Sequence, residues 1–238
     1  MLTGIFEIDA WGDSLGAGAT APRYCTLGGV AKLNPVGGSA YIVAAEYICA
    51  RLALLIGLPV PPGIAIRTKD GQMGYISLRF GPKGERPPPV IAEHLVEDRP
   101  ELAAALVAFD GWVANDDRHD QNIAYIRGKL PLVVYDHSHA LVGKGTAWLE
   151  QNLQAVVLSK LLPDRLTRAA DLEQSCQRIS EIPEFQVRHI CDSAAADGML
   201  TANEAGLVAN FLLGRKSKIL DLLRQGHKDG RLPVLVGW

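Results

Sequence analysis

Residues 115–141 read NDDRHDQNIAYIRGKLPLVVYDHSHAL, and this stretch decides how the chain folds. Its two apolar runs, IAYI at 123–126 and LPLVVY at 130–135, flank Arg127, Gly128 and Lys129 and predict a β-hairpin. Around it stand Asp116, Asp117, Asp120 and Asp136, with Asn115, Asn122, His119, His137 and His139, against the single lysine Lys129. A solvated loop tolerates such a mixture, but a pair of buried strands does not unless a bound group uses those oxygens. The same hairpin predicts that Asn122, just before the first strand, returns beside Asp136, just after the second.

With 238 residues, the chain has room for one large domain or two small lobes around a cleft. Hydrophobic content of 48% and charged content of 21% exclude a disordered tail. A formal net charge of -2 argues against a general nucleic-acid binder, which needs a basic face. Cys25, Cys49, Cys176 and Cys191 form no CxxC pair and are too sparse for a disulfide scaffold, so free thiols in a reducing compartment are expected. Residues 1–10 carry Glu7 and Asp9 and lack the basic start and apolar middle of a secretory signal. The longest apolar run, residues 48–60, is interrupted by Arg51, Gly57 and Pro59 and is too short for a membrane span. Together these features predict a soluble cytoplasmic protein.

The first third has strand character. GIFEIDAW leads into GDSLGAGATAPRY, and YCTLGGVAKLN is expected to follow as one strand. Residues 39–57 have helical spacing at Ile42, Ala45, Cys49, Leu52 and Ile56, with Ser39 as the expected N-cap and Gly57 as the stop. VPPGIAIRT and MGYISLRF predict two strands joined at Asp70 and Gly71. GPKGERPPP then has the composition of a linker and places a boundary near residue 85. Beyond it the chain is mostly helical, from Pro100 onward and again over residues 147–160, 163–179, 183–196 and 203–224. The expected fold class is therefore α+β, with a β-rich part at 1–85 and a mainly helical part at 86–238.

The oxygens near the hairpin suit one chemistry. An Asn amide oxygen and a carboxylate are hard ligands, so Asn122 and Asp136 suit magnesium carrying phosphates. Phosphoryl transfer further needs a cation on the phosphates and an acceptor that orients the attacking hydroxyl, a role that falls to Asp117. Lys32 is the lone lysine in the strand-like GGVAKL, and Glu46 is the only acid in the following helix. A helix carboxylate that clamps a strand lysine keeps the ammonium protonated and aimed at phosphate. Residues 16–22, GAGATAP, fit G-x-G-x-x-A, yet Pro22 and the strand-like RYCTL oppose the helix a dinucleotide site needs. Gly16 and Gly18 fit a glycine loop over triphosphate better, with backbone N–H groups as donors. An ordinary hairpin loop has the same composition.

DRHDQN followed by YDHSHAL resembles the catalytic loop and metal-binding segment of phosphatidylinositol kinases, D-R-H-x-x-N before D-F-G-H. The wider layout, with Glu46, LALLIGLPVP and DGWVANDDRH, resembles the HipA-like kinases. That resemblance covers residues 16–141 and implies a two-lobed, protein-kinase-like fold. It implies that Lys32 binds the phosphates of ATP, Glu46 positions it, Asp117 orients the acceptor, and Asn122 and Asp136 hold Mg2+. His119 then assists proton transfer or braces the loop. Asp136–His137–Ser138 departs from the D-F-G of common protein kinases, so no phenylalanine-based switch carries over. The implied activity is transfer of the γ-phosphate to a hydroxyl, on a protein Ser or Thr or on a small molecule. The alternatives are a kinase-fold module that binds nucleotide or a partner without turnover, and transfer of AMP.

Overall fold

A computed structural model describes residues 8–16, 22–80, 85–233, 235 and 238. Strands β1 (Ile8–Ser14) and β2 (Arg23–Leu27) pair antiparallel as a ribbon. Strands β3 (Gly29–Leu33), β4 (Gly63–Arg67) and β5 (Met73–Leu78) form an antiparallel sheet in the order β3-β5-β4, with Lys32 opposite Tyr75. Between β3 and β4 runs α1 (Ile42–Leu55). Helices α2 (Ala92–Asp98) and α3 (Pro100–Val113) precede the hairpin of β6 (Ile123–Ile126) and β7 (Leu130–Val134). Then come α4 (Thr146–Asn152), α5 (Ala169–Glu181), α6 (Glu184–Ala196), α7 (Ala202–Lys216) and α8 (Ile219–Lys228). The α+β class expected from the sequence is observed, and among the described residues no helix is long and apolar enough to cross a membrane.

Helix α1 is central to the packing. It meets all three strands of the β3-β5-β4 sheet and also α6. Being covered on both sides, it buries Val43 to Ala50, Leu52 and Ala53, and its apolar residues run round the helix rather than along one stripe. Gly57, at φ +80°, ends the run as expected. The start differs from expectation. Tyr41 occupies the N-cap position, and the side chain of Asn34 serves the first turn, accepting from the Val43 N–H at 3.0 Å and donating to the Ala40 carbonyl at 2.7 Å.

Other boundaries also move. The segment expected as one strand breaks at Gly28 into β2 and β3, which pair with different partners. A Cβ at Gly28 would lie 2.7 Å from the Arg79 guanidinium and 2.9 Å from an Asp9 carboxylate oxygen, because the Asp9–Arg79 ion pair passes over it. The helix expected over 147–160 stops at Asn152. There the buried Arg215 guanidinium on α7 donates to the carbonyls of Asn152 (2.6 Å), Leu153 (3.4 Å) and Ala155 (2.9 Å), holding the chain in an irregular path. Residues 163–165 form a single 3-10 turn before α5 starts at Ala169. The long helix expected over 203–224 divides at Ser217 and Lys218: α7 packs on α3, α4 and α6, and α8 turns onto α3 and α5. Helix α2 was not expected at all.

The centrality of α1 has a measurable consequence. Leu52 is fully buried in α1, whereas Leu54 on the same helix is 58% exposed. Leu52→Ala is expected to lower unfolding free energy by about 2–5 kcal/mol and Leu54→Ala by no more than about 0.5 kcal/mol, as read by urea denaturation. Equal effects would show that α1 is not packed on both sides.

Candidate active site

The loop after α3 is set by a buried ion pair. Ala114 takes a left-handed conformation (φ 53°, ψ 50°) at the end of α3, and the Asn115 N–H returns to the Asp110 carbonyl at 2.8 Å. Inside, both Asp110 carboxylate oxygens accept from Arg118, at 3.1 Å from Nε and 3.0 Å from Nη2. Asn115 Nδ2 adds a third bond to Asp110 at 3.1 Å. Arg118 is 2% exposed. Its Nη1 donates to the carbonyls of Asn122 (3.3 Å), Tyr135 (2.6 Å) and Asp136 (3.2 Å). One planar fork thus joins the end of α3, the loop and the chain leaving β7. Arg118, the middle residue of D-R-H, carries no role in the sequence reading, because its partners lie up to 18 positions away.

Asn122 and Asp136 come together as the hairpin predicts. The Tyr135 N–H donates to the Asn122 carbonyl at 3.2 Å, one step beyond the β6–β7 ladder. Asn122 is buried and its Nδ2 donates to the Asp117 carbonyl at 3.0 Å, so no described residue engages its Oδ1. Asp136 has φ +61°, a left-handed conformation that an aspartate tolerates better than most side chains.

The groups named from separate parts of the sequence meet here. Lys32 Nζ lies 2.6 Å from Glu46 Oε1 and 2.7 Å from Asp136 Oδ1. Glu46 Oε1 also accepts the His137 N–H at 2.9 Å. Only 4% of Glu46 is exposed. Burial alone would raise its carboxyl, but His137 and Lys32 outweigh burial and hold it below its ordinary value. Burial alone would lower the Lys32 ammonium, and Glu46 and then Asp136 reverse this, leaving it raised. Asp136 follows the same logic: burial would raise it, while Lys32 and Ser138 draw it well below the usual carboxylate range. Ser138 Oγ donates to Asp136 Oδ1 as well. His137 lies edge-on to Phe109 at 5.8 Å, with Nδ1 3.7 Å from Glu46 Oε2 and, among the described residues, no partner for Nε2.

These side chains border a cavity of about 920 Å3 whose wall includes Lys32, Glu46, His119, Asn122 and Asp136. Asp117 is not in that wall. Its carboxylate is 44% exposed and lies 4.0 Å from His139 Nε2. His119 Nδ1 accepts the Gln121 N–H at 3.2 Å, which caps the short 3-10 turn at Asp120–Asn122 and fits the bracing role. Gly16 (φ +73°) follows β1 outside the cavity wall, with its N–H 3.2 Å from Ser14 Oγ, and Gly18 lies outside the described residues. Among the described residues no three His, Cys, Asp or Glu side chains converge on one point. A cation held by Asn122 and Asp136 would therefore complete its shell with phosphate and water oxygens, as magnesium commonly does.

No protein-family model matches this sequence, and no curated protein does. The structure is similar to the crystal structure of the proinflammatory kinase CtkA of Helicobacter pylori, with TM-score 0.59 and 12% identity over 92% of this chain and 95% of that one. The chain has a kinase fold. A second solved structure, the HipA, HipB and operator DNA complex of Shewanella oneidensis MR-1, aligns at TM-score 0.46 and 13% identity over 94% of this chain and 66% of that one. The likeness to CtkA does not bear on the resemblance to phosphatidylinositol kinases, which rests on DRHDQN and YDHSHAL alone.

Two outcomes follow from this kinase-fold geometry. Removing Arg118 leaves Asp110 charged and buried without its partner, so Arg118→Ala is expected to cost about 3–5 kcal/mol in urea unfolding. A cost under about 1 kcal/mol would show that the pair does not hold the loop. The lowered Asp136 carboxyl contributes stability above its unfolded value of about 3.9 and loses it as pH falls toward the folded value. Thermal unfolding followed by circular dichroism should therefore show the wild-type melting temperature falling more steeply than that of Asp136→Asn below about pH 4. Parallel curves would mean the Lys32–Asp136 contact contributes nothing.

Proposed function

We propose that this protein is an ATP- and Mg2+-dependent phosphotransferase that moves the γ-phosphoryl group to a hydroxyl, on a protein Ser or Thr side chain. The observation that carries this is the Lys32 ammonium, within ion-pair distance of both Glu46 and Asp136, in the wall of a cavity large enough for a nucleoside triphosphate. In this reading residues 1–85 form a nucleotide-binding lobe and 86–238 a helical lobe with the catalytic loop. The kinase fold shared with CtkA supports the reaction class.

The roles divide by chemistry. Lys32, held protonated by Glu46, places positive charge on the phosphates. The free Oδ1 of Asn122 and the Asp136 carboxylate would hold magnesium, which when bound supplies positive charge to the phosphate oxygens. Asp117 orients the acceptor hydroxyl and takes its proton as the oxygen bonds to phosphorus and the bond to the nucleoside diphosphate breaks. Its half-exposed position suits an acceptor arriving on another macromolecule.

The test is incubation of the full chain with radiolabelled ATP and magnesium, reading autophosphorylation and phosphate release. Asp117→Ala is expected to lower turnover by about 10²–10⁴-fold while retaining thermal stabilisation by ATP. Lys32→Met is expected to lose both. Wild type and Asp117→Ala with the same measurable turnover would defeat the catalytic assignment. Stabilisation by ATP with no turnover in wild type would select a nucleotide-holding module instead, and a released product with the mass of pyrophosphate would select AMP transfer.

A further inference from the structure

Phe80 and Tyr135 meet in the wall of the same cavity, ring centroids 5.1 Å apart and planes tilted by 56°. Tyr135 directly precedes Asp136, so this aromatic corner adjoins the Lys32–Asp136 cluster through one peptide. Neither ring has a role in the phosphate chemistry above.

The backbone bordering the cavity nearby is unusual in what it can donate. Pro87, Pro88 and Pro89 are three consecutive wall residues, and proline has no N–H. Val90, next along the chain, commits its N–H to the Asp120 carbonyl at 2.9 Å. This stretch presents carbonyl acceptors and no donors. The ring nitrogen on adenine's pairing edge needs a donor, whereas the corresponding position of guanine is itself a donor. Residues 87–90 therefore give adenine's ring nitrogen no backbone donor and do not select adenine over guanine. What the cavity wall offers both purines alike is aromatic surface, since every base has a π-face. The Gln121 side chain, also in the wall, can present either its amide oxygen or its NH2 to a base.

We infer that the cavity holds its nucleotide base by stacking on Phe80 and Tyr135 and accepts guanine about as readily as adenine, a specificity that rests on the phosphotransferase reading above. The donor-free Pro87–Pro88–Pro89 wall and the paired rings carry it together.

Isothermal titration of the full chain with Mg·ATP, Mg·GTP and magnesium tripolyphosphate tests it. The two nucleotides should bind wild type with dissociation constants less than about tenfold apart. Phe80→Leu and Tyr135→Leu should each weaken both nucleotides by roughly tenfold or more and leave tripolyphosphate unchanged. Tyr135→Phe, which keeps the ring, should restore nucleotide affinity. The wild-type comparison needs no variant, so a folding defect in either leucine variant does not remove the test. An ATP preference above about tenfold, or leucine variants that fold and bind nucleotide as wild type does, would overturn the inference and leave the phosphotransferase reading standing. A wild-type chain that binds none of the three probes would overturn both.

Discussion

One buried carboxylate organises the site. Glu46 sits in the middle of α1, almost without solvent, and a single oxygen receives both the Lys32 ammonium and the His137 backbone N–H. An ionised group taken out of water costs several kcal/mol unless it is paired and fully hydrogen-bonded. Here the compensation comes from β3 on one side and from the segment after β7 on the other. The three pieces can therefore occupy only one arrangement relative to each other. Asp136 is drawn into the same arrangement because the lysine that Glu46 holds is also its own partner.

A second pair does for the loop what Glu46 does for the cavity. The Asp110–Arg118 fork is more deeply buried than any side chain proposed to touch phosphate. It satisfies carbonyls on both arms of the β6–β7 hairpin, so the left-handed backbone at Ala114 and at Asp136 is held by interactions on either side. Non-glycine residues rarely take that conformation without such support. Further out, Arg215 repeats the pattern with backbone carbonyls in place of a carboxylate among the described residues, satisfying those of Trp112, Asn152 and Ala155 and tying the end of α3 to the chain beyond α4. Burial lowers this guanidinium to about 10, and it stays charged at neutral pH.

Much of this was legible in the linear order of residues, because the signals are local. Alternating apolar runs about Gly128 specify the hairpin, and the period-2 geometry of strands then dictates that Asn122 and Asp136 return side by side. Helical spacing ended by Gly57 specifies α1. A lone lysine in an apolar strand and a lone acid in the next helix are conspicuous because neither belongs in a core by itself. These signals specify the α+β class and the members of the ion cluster, though not the Lys32–Asp136 contact within it.

What the linear order did not contain was decided by contacts between distant parts of the chain. The break at Gly28 exists because Asp9 and Arg79, 70 residues apart, close over it. Helix α4 stops where an arginine 63 positions later takes the carbonyl of its last residue, Asn152. Arg118 reads as one more charge in a polar loop until the fold places Asp110 and three carbonyls around it, and Phe80 reads as a strand end until Tyr135 packs against it. Spacing and propensity act over a few residues, whereas desolvation acts on whatever the tertiary structure brings together. The chain alone therefore determined which elements form and which charged groups required partners. Only the folded state decided which partners they received.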